Sequence, residues 1–212
     1  MSGAPALAVA PYADLQEQGH AALVGMWLFV ASEALLFGTL FVAYADLRAR
    51  YPDAFVEAAG RLHHGLGTAN TAILLTSSLF AALAVHAGEA GRRRGAAAWL
   101  WSGAALGTLF LGLKLFEWSL EAGEHLVPGA GFAGHEFSDP RGAETFFGVY
   151  FVSTGLHALH VLVGVVLLVV LALRARSGWC VAPFGHRLLA GSLYWHLVDL
   201  VWVFLFPLLY LV

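Results

Sequence analysis

Residues 145–173 read TFFGVYFVSTGLHALHVLVGVVLLVVLAL, an unbroken run without lysine, arginine, aspartate or glutamate. Crossing the hydrocarbon core of a bilayer takes about 20 apolar residues, because a helix advances about 1.5 Å per residue. This run is long enough to span a membrane with tilt. It is too long and too uniformly apolar for a helix in the core of a soluble domain. Four further stretches of the same character lie around it, bounded by charges and by glycine or proline clusters. The five expected spans are residues 21–46, 66–88, 96–121, 143–173 and 187–211, preceded by an N-terminal segment over 1–19.

The composition agrees with this reading. Of 212 residues, 59% are hydrophobic and only 12% are charged, with a mean hydropathy of +0.74. Soluble domains carry about 25% charged residues, and a soluble surface could not be wetted with half that number. Soluble enzymes, nucleic-acid binders and disordered chains are thereby excluded, and the net charge of −3 suggests no polyanion partner. The expected fold is an all-α bundle of five transmembrane helices, forming a single domain over 1–212 with no internal repeat. A lone cysteine, Cys180, allows no internal disulfide. The first 18 residues hold no basic residue and do not read as a cleaved leader.

Orientation follows from arginine placement, since basic residues favour the cytoplasmic side. Arg92, Arg93, Arg94, Arg174, Arg176 and Arg187 would share one side, and Arg48, Arg50, Arg61 and Arg141 the other. The expected topology has the N-terminus in the cytoplasm and the C-terminus outside. His20, Arg174 and Arg176 would then form a cationic rim at the level of phospholipid headgroups.

Ionisable groups inside spans are costly and call for an account. Glu33 of the first span, His157 and His160 of the fourth, and His196 and Asp199 of the fifth all fall near the middle of their helices. They are read as one buried polar network at a common depth. Glu33 is expected to bond an imidazole of the fourth span, either His157 or His160. Lys114 and Glu117, three apart on one helix face, are read as an intramembrane ion pair near the outer end, made tolerable by neutralisation or snorkelling. A metal or haem site is disfavoured, because His63 and His64 belong to an outer loop and His86 and His186 to the opposite ends. A proton relay through Glu33 and plain hydrogen-bonded glue between helices remain equally open on these grounds.

Particular strings go further than periodicity. MWLFVASEALLFGTLFVAY (26–44), ANTAILLTSS (69–78), LFLGLKLFEWSLEAGEH (109–125), the run above and YWHLVDLVWVFLFPLLYLV (194–212) occur in this order. Together they resemble subunit III of the haem-copper terminal oxidases, the cytochrome c and quinol oxidase family, in a short five-helix form. The resemblance implies an accessory subunit of a proton-pumping oxygen reductase in aerobic respiration, with cytochrome c ahead of quinol as electron donor. It implies no catalytic residue, metal ligand or cofactor in this chain; haem and copper would sit in subunits I and II. It also implies a bound structural phospholipid, support of subunit I stability and proton uptake, and room for a larger respiratory supercomplex, in a bacterial cell membrane. Glu33 matches the family's carbodiimide-reactive carboxylate, and the histidine and aspartate motifs of the last two spans become mainly inter-helix hydrogen bonds. Two departures stand out. Longer members have seven helices, of which the first two have no counterpart here, and Lys114 stands where many members have glutamine. Two other readings are an accessory protein of nitric oxide respiration and a stand-alone proton carrier using Glu33. The carrier should show broken helices or inverted repeats, and none is visible.

Overall fold

The computed structural model describes residues 15–129, 131–177 and 185–211. Its helices are α1 (Leu15–Arg50), α2 (Pro52–Ala59), α3 (His64–Glu89), α4 (Arg93–Gly123), α5 (Pro140–Ala175) and α6 (Gly185–Tyr210), with a 3₁₀ turn at Gly134–Glu136. Five of them, α1, α3, α4, α5 and α6, are long and apolar enough to cross a membrane. These are the five expected spans, with ends that differ by a few residues.

Helices α3, α4, α5 and α6 form a ring in which each packs on its two neighbours, while α1 leans on α6 and touches α5. Small residues let the ring close. Ala81, Ala84 and Ala87 of α3 and Ala96, Ala97 and Ala104 of α4 are all buried. Gly103 and Gly107, four apart on α4, present bare backbone to α3, α5 and α6. In lipid there is no hydrophobic drive between helices, so close backbone approach and hydrogen bonding supply the adhesion. Ser77 adds one such bond, donating across α3–α4 to the Gly103 carbonyl at 2.9 Å.

Outside the ring, α1 keeps Leu28, Leu35 and Val42 outward, a stripe suited to acyl chains or an apolar partner. The residues between the first two spans, read as loop, contain α2. Pro52 starts it, and Ala54, Phe55, Ala58 and Ala59 face inward against α5. Eight residues are too few for a helical period to stand out from sequence. Arg61, between α2 and α3, reaches Glu136 of the long α4–α5 connection at 2.8 Å. Asp139 caps α5 there, accepting from the backbone N–H groups of Arg141 and Gly142 at 3.2 and 3.1 Å.

Candidate functional site

Glu33 and His160 meet across α1 and α5, with Glu33 Oε2 2.8 Å from His160 Nε2. The other ring nitrogen, Nδ1, lies 2.8 Å from the Leu156 carbonyl. A carbonyl only accepts, so Nδ1 carries its hydrogen, and a single further proton is shared between Nε2 and the carboxyl. Phe37 covers the imidazole edge-on at 5.2 Å, and Tyr194 donates to the His160 carbonyl at 3.0 Å. Of the two expected partners, the structure selects His160. His157, one turn earlier, is directed into the ring instead.

There His157 is fully buried, stacked on Trp202 at 5.1 Å with Phe110 edge-on at 5.6 Å. Neither of its ring nitrogens has a hydrogen-bond partner. His196 sits on the α3–α6 seam, with Nδ1 2.6 Å from Ser78 Oγ and Nε2 3.1 Å from Ser192 Oγ. Asp199 is buried beside it, its Oδ1 unpartnered. The expectation of one network is therefore corrected. Among the described residues the hydrogen bonds fall into separate groups: Glu33 with His160, and His196 with Asp199 around Ser78 and with Ser192, while His157 stands apart. Equal depth placed these residues on one level but on different faces.

The second polar centre is larger than expected. Lys114 Nζ uses all three hydrogens, donating to Glu117 Oε2 at 3.0 Å, Tyr150 Oη at 2.8 Å and Tyr210 Oη at 2.6 Å. The tyrosines pass the bonds on: Tyr210 donates to Glu117 Oε1 at 2.7 Å, and Tyr150 donates to Glu121 Oε1 at 2.6 Å. The ammonium also lies 4.6 Å from the Tyr150 ring centre and 5.5 Å from that of Trp202. Lys114 and Glu117 are 1% and 0% exposed, so the pair is held inside protein and snorkelling plays no part. The ion pair was legible at i, i+3; Glu121 extends the same face at i+7, and its place at the span boundary hid it. Tyr150 and Tyr210 read as ordinary apolar-span aromatics.

At the opposite end, Arg174 and Arg176 are both exposed, Arg174 in the last turn of α5 and Arg176 just after it, and Arg176 lines a cleft together with Arg94. The side chain of His20 lies outside the described residues.

Residues 16–212 match the family model for cytochrome c oxidase subunit III. The chain belongs to that family. Among its relatives, the cytochrome c oxidase subunit 3 of Alkalihalophilus pseudofirmus is 31% identical over 194 residues, covering 92% of this chain and 88% of that protein. Quinol oxidase subunit 3 of Bacillus spizizenii is 29% identical over 207 residues, 95% of this chain and 92% of the relative. A heme-copper oxidase subunit I+III of Aeropyrum pernix is 35% identical over 198 residues, 88% of this chain and 22% of that longer protein. The chain is thus a multi-pass subunit III protein of the bacterial cell membrane.

For a subunit III chain, the Glu33 geometry makes a direct prediction. In Glu33→Gln, the amide donates to His160 Nε2 while Nδ1 stays on the Leu156 carbonyl, so folding and assembly should be kept. Glu33→Ala leaves Nε2 without its protein partner and should loosen the α1–α5 contact by about 1 kcal/mol. Thermal release of the subunit from its complex reads both variants; equal losses would refute the shared-proton bond.

Proposed function

We propose that this chain is the accessory subunit III of a proton-pumping haem-copper oxygen reductase, working with subunits I and II and with cytochrome c rather than quinol as electron donor. The relatives' identities as cytochrome c and quinol oxidase subunits 3 support the oxidase assignment. The fused subunit I+III relative supports subunit I as the immediate partner. One observation supports the non-catalytic role: the ring nitrogens of His160 and His196 are all engaged with protein groups, and the unbonded imidazole of His157 is packed between Trp202 and Phe110 with no acidic or histidine ligand gathered round it into a metal-binding group among the described residues. Those engagements support a role for the first two as glue between helices rather than as metal ligands. Haem and copper belong to the partner subunits in this reading. The residues of this chain brace subunit I, sustain its proton uptake and hold a phospholipid, with the N-terminus on the cytoplasmic side.

The test is the purified complex with and without this chain. Haem and copper content and the initial rate of oxygen reduction should be unchanged on its removal, while activity should decay sooner during turnover. Loss of the metals on removal, or a haem band from the chain purified alone, would overturn the accessory role. Parallel assays with reduced cytochrome c and with quinol identify the donor.

The phospholipid is expected against the cationic end. Arg174→Gln with Arg176→Gln should lower the anionic lipid that co-purifies with the complex. Unchanged lipid would mean that these arginines only set topology.

A further inference from the structure

Asn70 of α3 and His157 of α5 are both 0% exposed. The carboxamide oxygen and nitrogen and both imidazole nitrogens lack any hydrogen-bond partner. A buried polar atom left unbonded costs about 1–3 kcal/mol, and such groups are satisfied by protein or by ordered water. The part-buried Glu33–His160 pair and the His196 imidazole obey that rule. Single atoms of His63, Trp118, Glu121 and Asp199 are also unbonded, but among the described residues only Asn70 and His157 leave two atoms each without a partner.

They also belong to one level of the bundle. Trp202 of α6 donates to Thr71, the residue after Asn70, at 3.0 Å. The same indole stacks on His157, and Phe110 of α4 meets both rings, at 4.9 Å from Trp202 and 5.6 Å from His157. Asn70 lies on the buried stripe of α3 that includes Leu74 and Ser77, and Ser77 touches both α4 and α6. His157 lies on the buried stripe of α5 that includes Tyr150 and Gly164, facing α4 and α6. Both side chains are therefore directed into the ring from helices on opposite sides of it.

The chemistry of the four atoms selects the occupant. A neutral imidazole offers one donor and one acceptor, and a carboxamide offers two donors and an acceptor oxygen. Their complement must donate and accept, and it must be small and neutral. The fixed charge bearing on His157 is the Lys114 ammonium of α4, so a cation would meet a positive charge there. We propose that Asn70 and His157 bind an internal water that bridges α3 to α5 across the ring. Such water is an integral part of buried polar sites and is costly to remove. It ties together α3 and α5, which face each other across the ring rather than as neighbours in it, and it does so beside the Lys114 centre.

The decisive measurement is a density map of the assembled complex at a resolution that shows ordered water. Density within hydrogen-bond distance of both Asn70 and His157 is expected; a dry gap, or a direct bond between the side chains, overturns the proposal. Thermal release of the chain from the complex gives an independent reading. With the water in place, His157→Leu and Asn70→Leu should each lower the release temperature, by about 2–4 °C for each bond's worth of stability. The double variant should lose less than the two singles summed, because it strands no polar group, and His157→Gln should recover part of the loss. If His157→Leu instead raises the release temperature, the imidazole was an unsatisfied group and the bridge does not exist.

Discussion

Replacing Lys114 by methionine should destabilise this subunit by about 3–5 kcal/mol, the cost of breaking a buried ion pair from one side. Methionine fills the volume of the lysine stem, so packing is largely conserved and the loss reports on charge and hydrogen bonds. Two carboxyls depend on that ammonium. Glu117 takes its bond directly at 3.0 Å, and Glu121 is held through the Tyr150 hydroxyl, while Glu121 Oε2 already has no partner. Without the positive charge, both acidic groups remain in a water-excluded interior with only tyrosine donors. The expected readout is release of the subunit from the purified complex at a much lower temperature than the unmodified chain. Adding Glu117→Gln to Lys114→Met should restore part of the loss, because the amide needs no counter-charge. Lys114→Gln should fall between the two, since it keeps donors and surrenders the charge. Release of Lys114→Met at the unmodified temperature would show that the centre contributes nothing net, as an apolar replacement of a whole buried pair can.

Trp195→Ala should cost a comparable amount, about 3–5 kcal/mol, through the cavity it leaves. The indole of Trp195 is 1% exposed and lies between two helices that have no side chain to offer it. A Cβ on Gly107 of α4 would come within 2.6 Å of the ring, and one on Gly164 of α5 within 2.6 Å of its other edge. Its N–H donates to Ser77 of α3 at 3.1 Å, so one side chain of α6 fastens the other three helices of the ring. The slot makes a second expectation from the opposite direction. Gly164→Ala should overpack it and cost about 1–3 kcal/mol. Combined with Trp195→Phe, which shortens the ring, Gly164→Ala should cost less than it does alone. Double-mutant analysis of thermal release measures this coupling. Additive losses would mean that the glycine and the tryptophan do not share a space.

Much of the polar interior was legible residue by residue, but not its grouping. Glu33 was readable because a carboxyl at mid-span must find a partner, and the candidates narrowed to two histidines three residues apart. A helical step of three residues turns the side chain by about 60°, which suffices to aim His160 at α1 and His157 into the ring. That choice depends on where α1 sits, and α1 is placed by packing on α6. The Lys114–Glu117 pair was readable because both partners lie on one helix, where spacing alone brings them together. Tyr150 and Tyr210 could not be assigned to it, since they arrive from α5 and α6 and no spacing within one helix relates them to Lys114.

The sequence by itself determined the membrane class, the five spans, the family and the positions along each helix at which polar groups are buried. All of these depend on local quantities: how many apolar residues follow one another, what interrupts them, and how far along the axis each residue rises. Only the tertiary structure decided which polar side chains meet. It paired Glu33 with His160, gave His196 to Ser78 and Ser192, gathered Glu121 and two tyrosines around Lys114, and left Asn70 and His157 facing into the ring. The reason is geometric. Rise along a helix is set by the backbone and can be counted, whereas the rotation of each helix about its axis is set by which small residues let neighbours approach, as Gly107 and Gly164 do for Trp195.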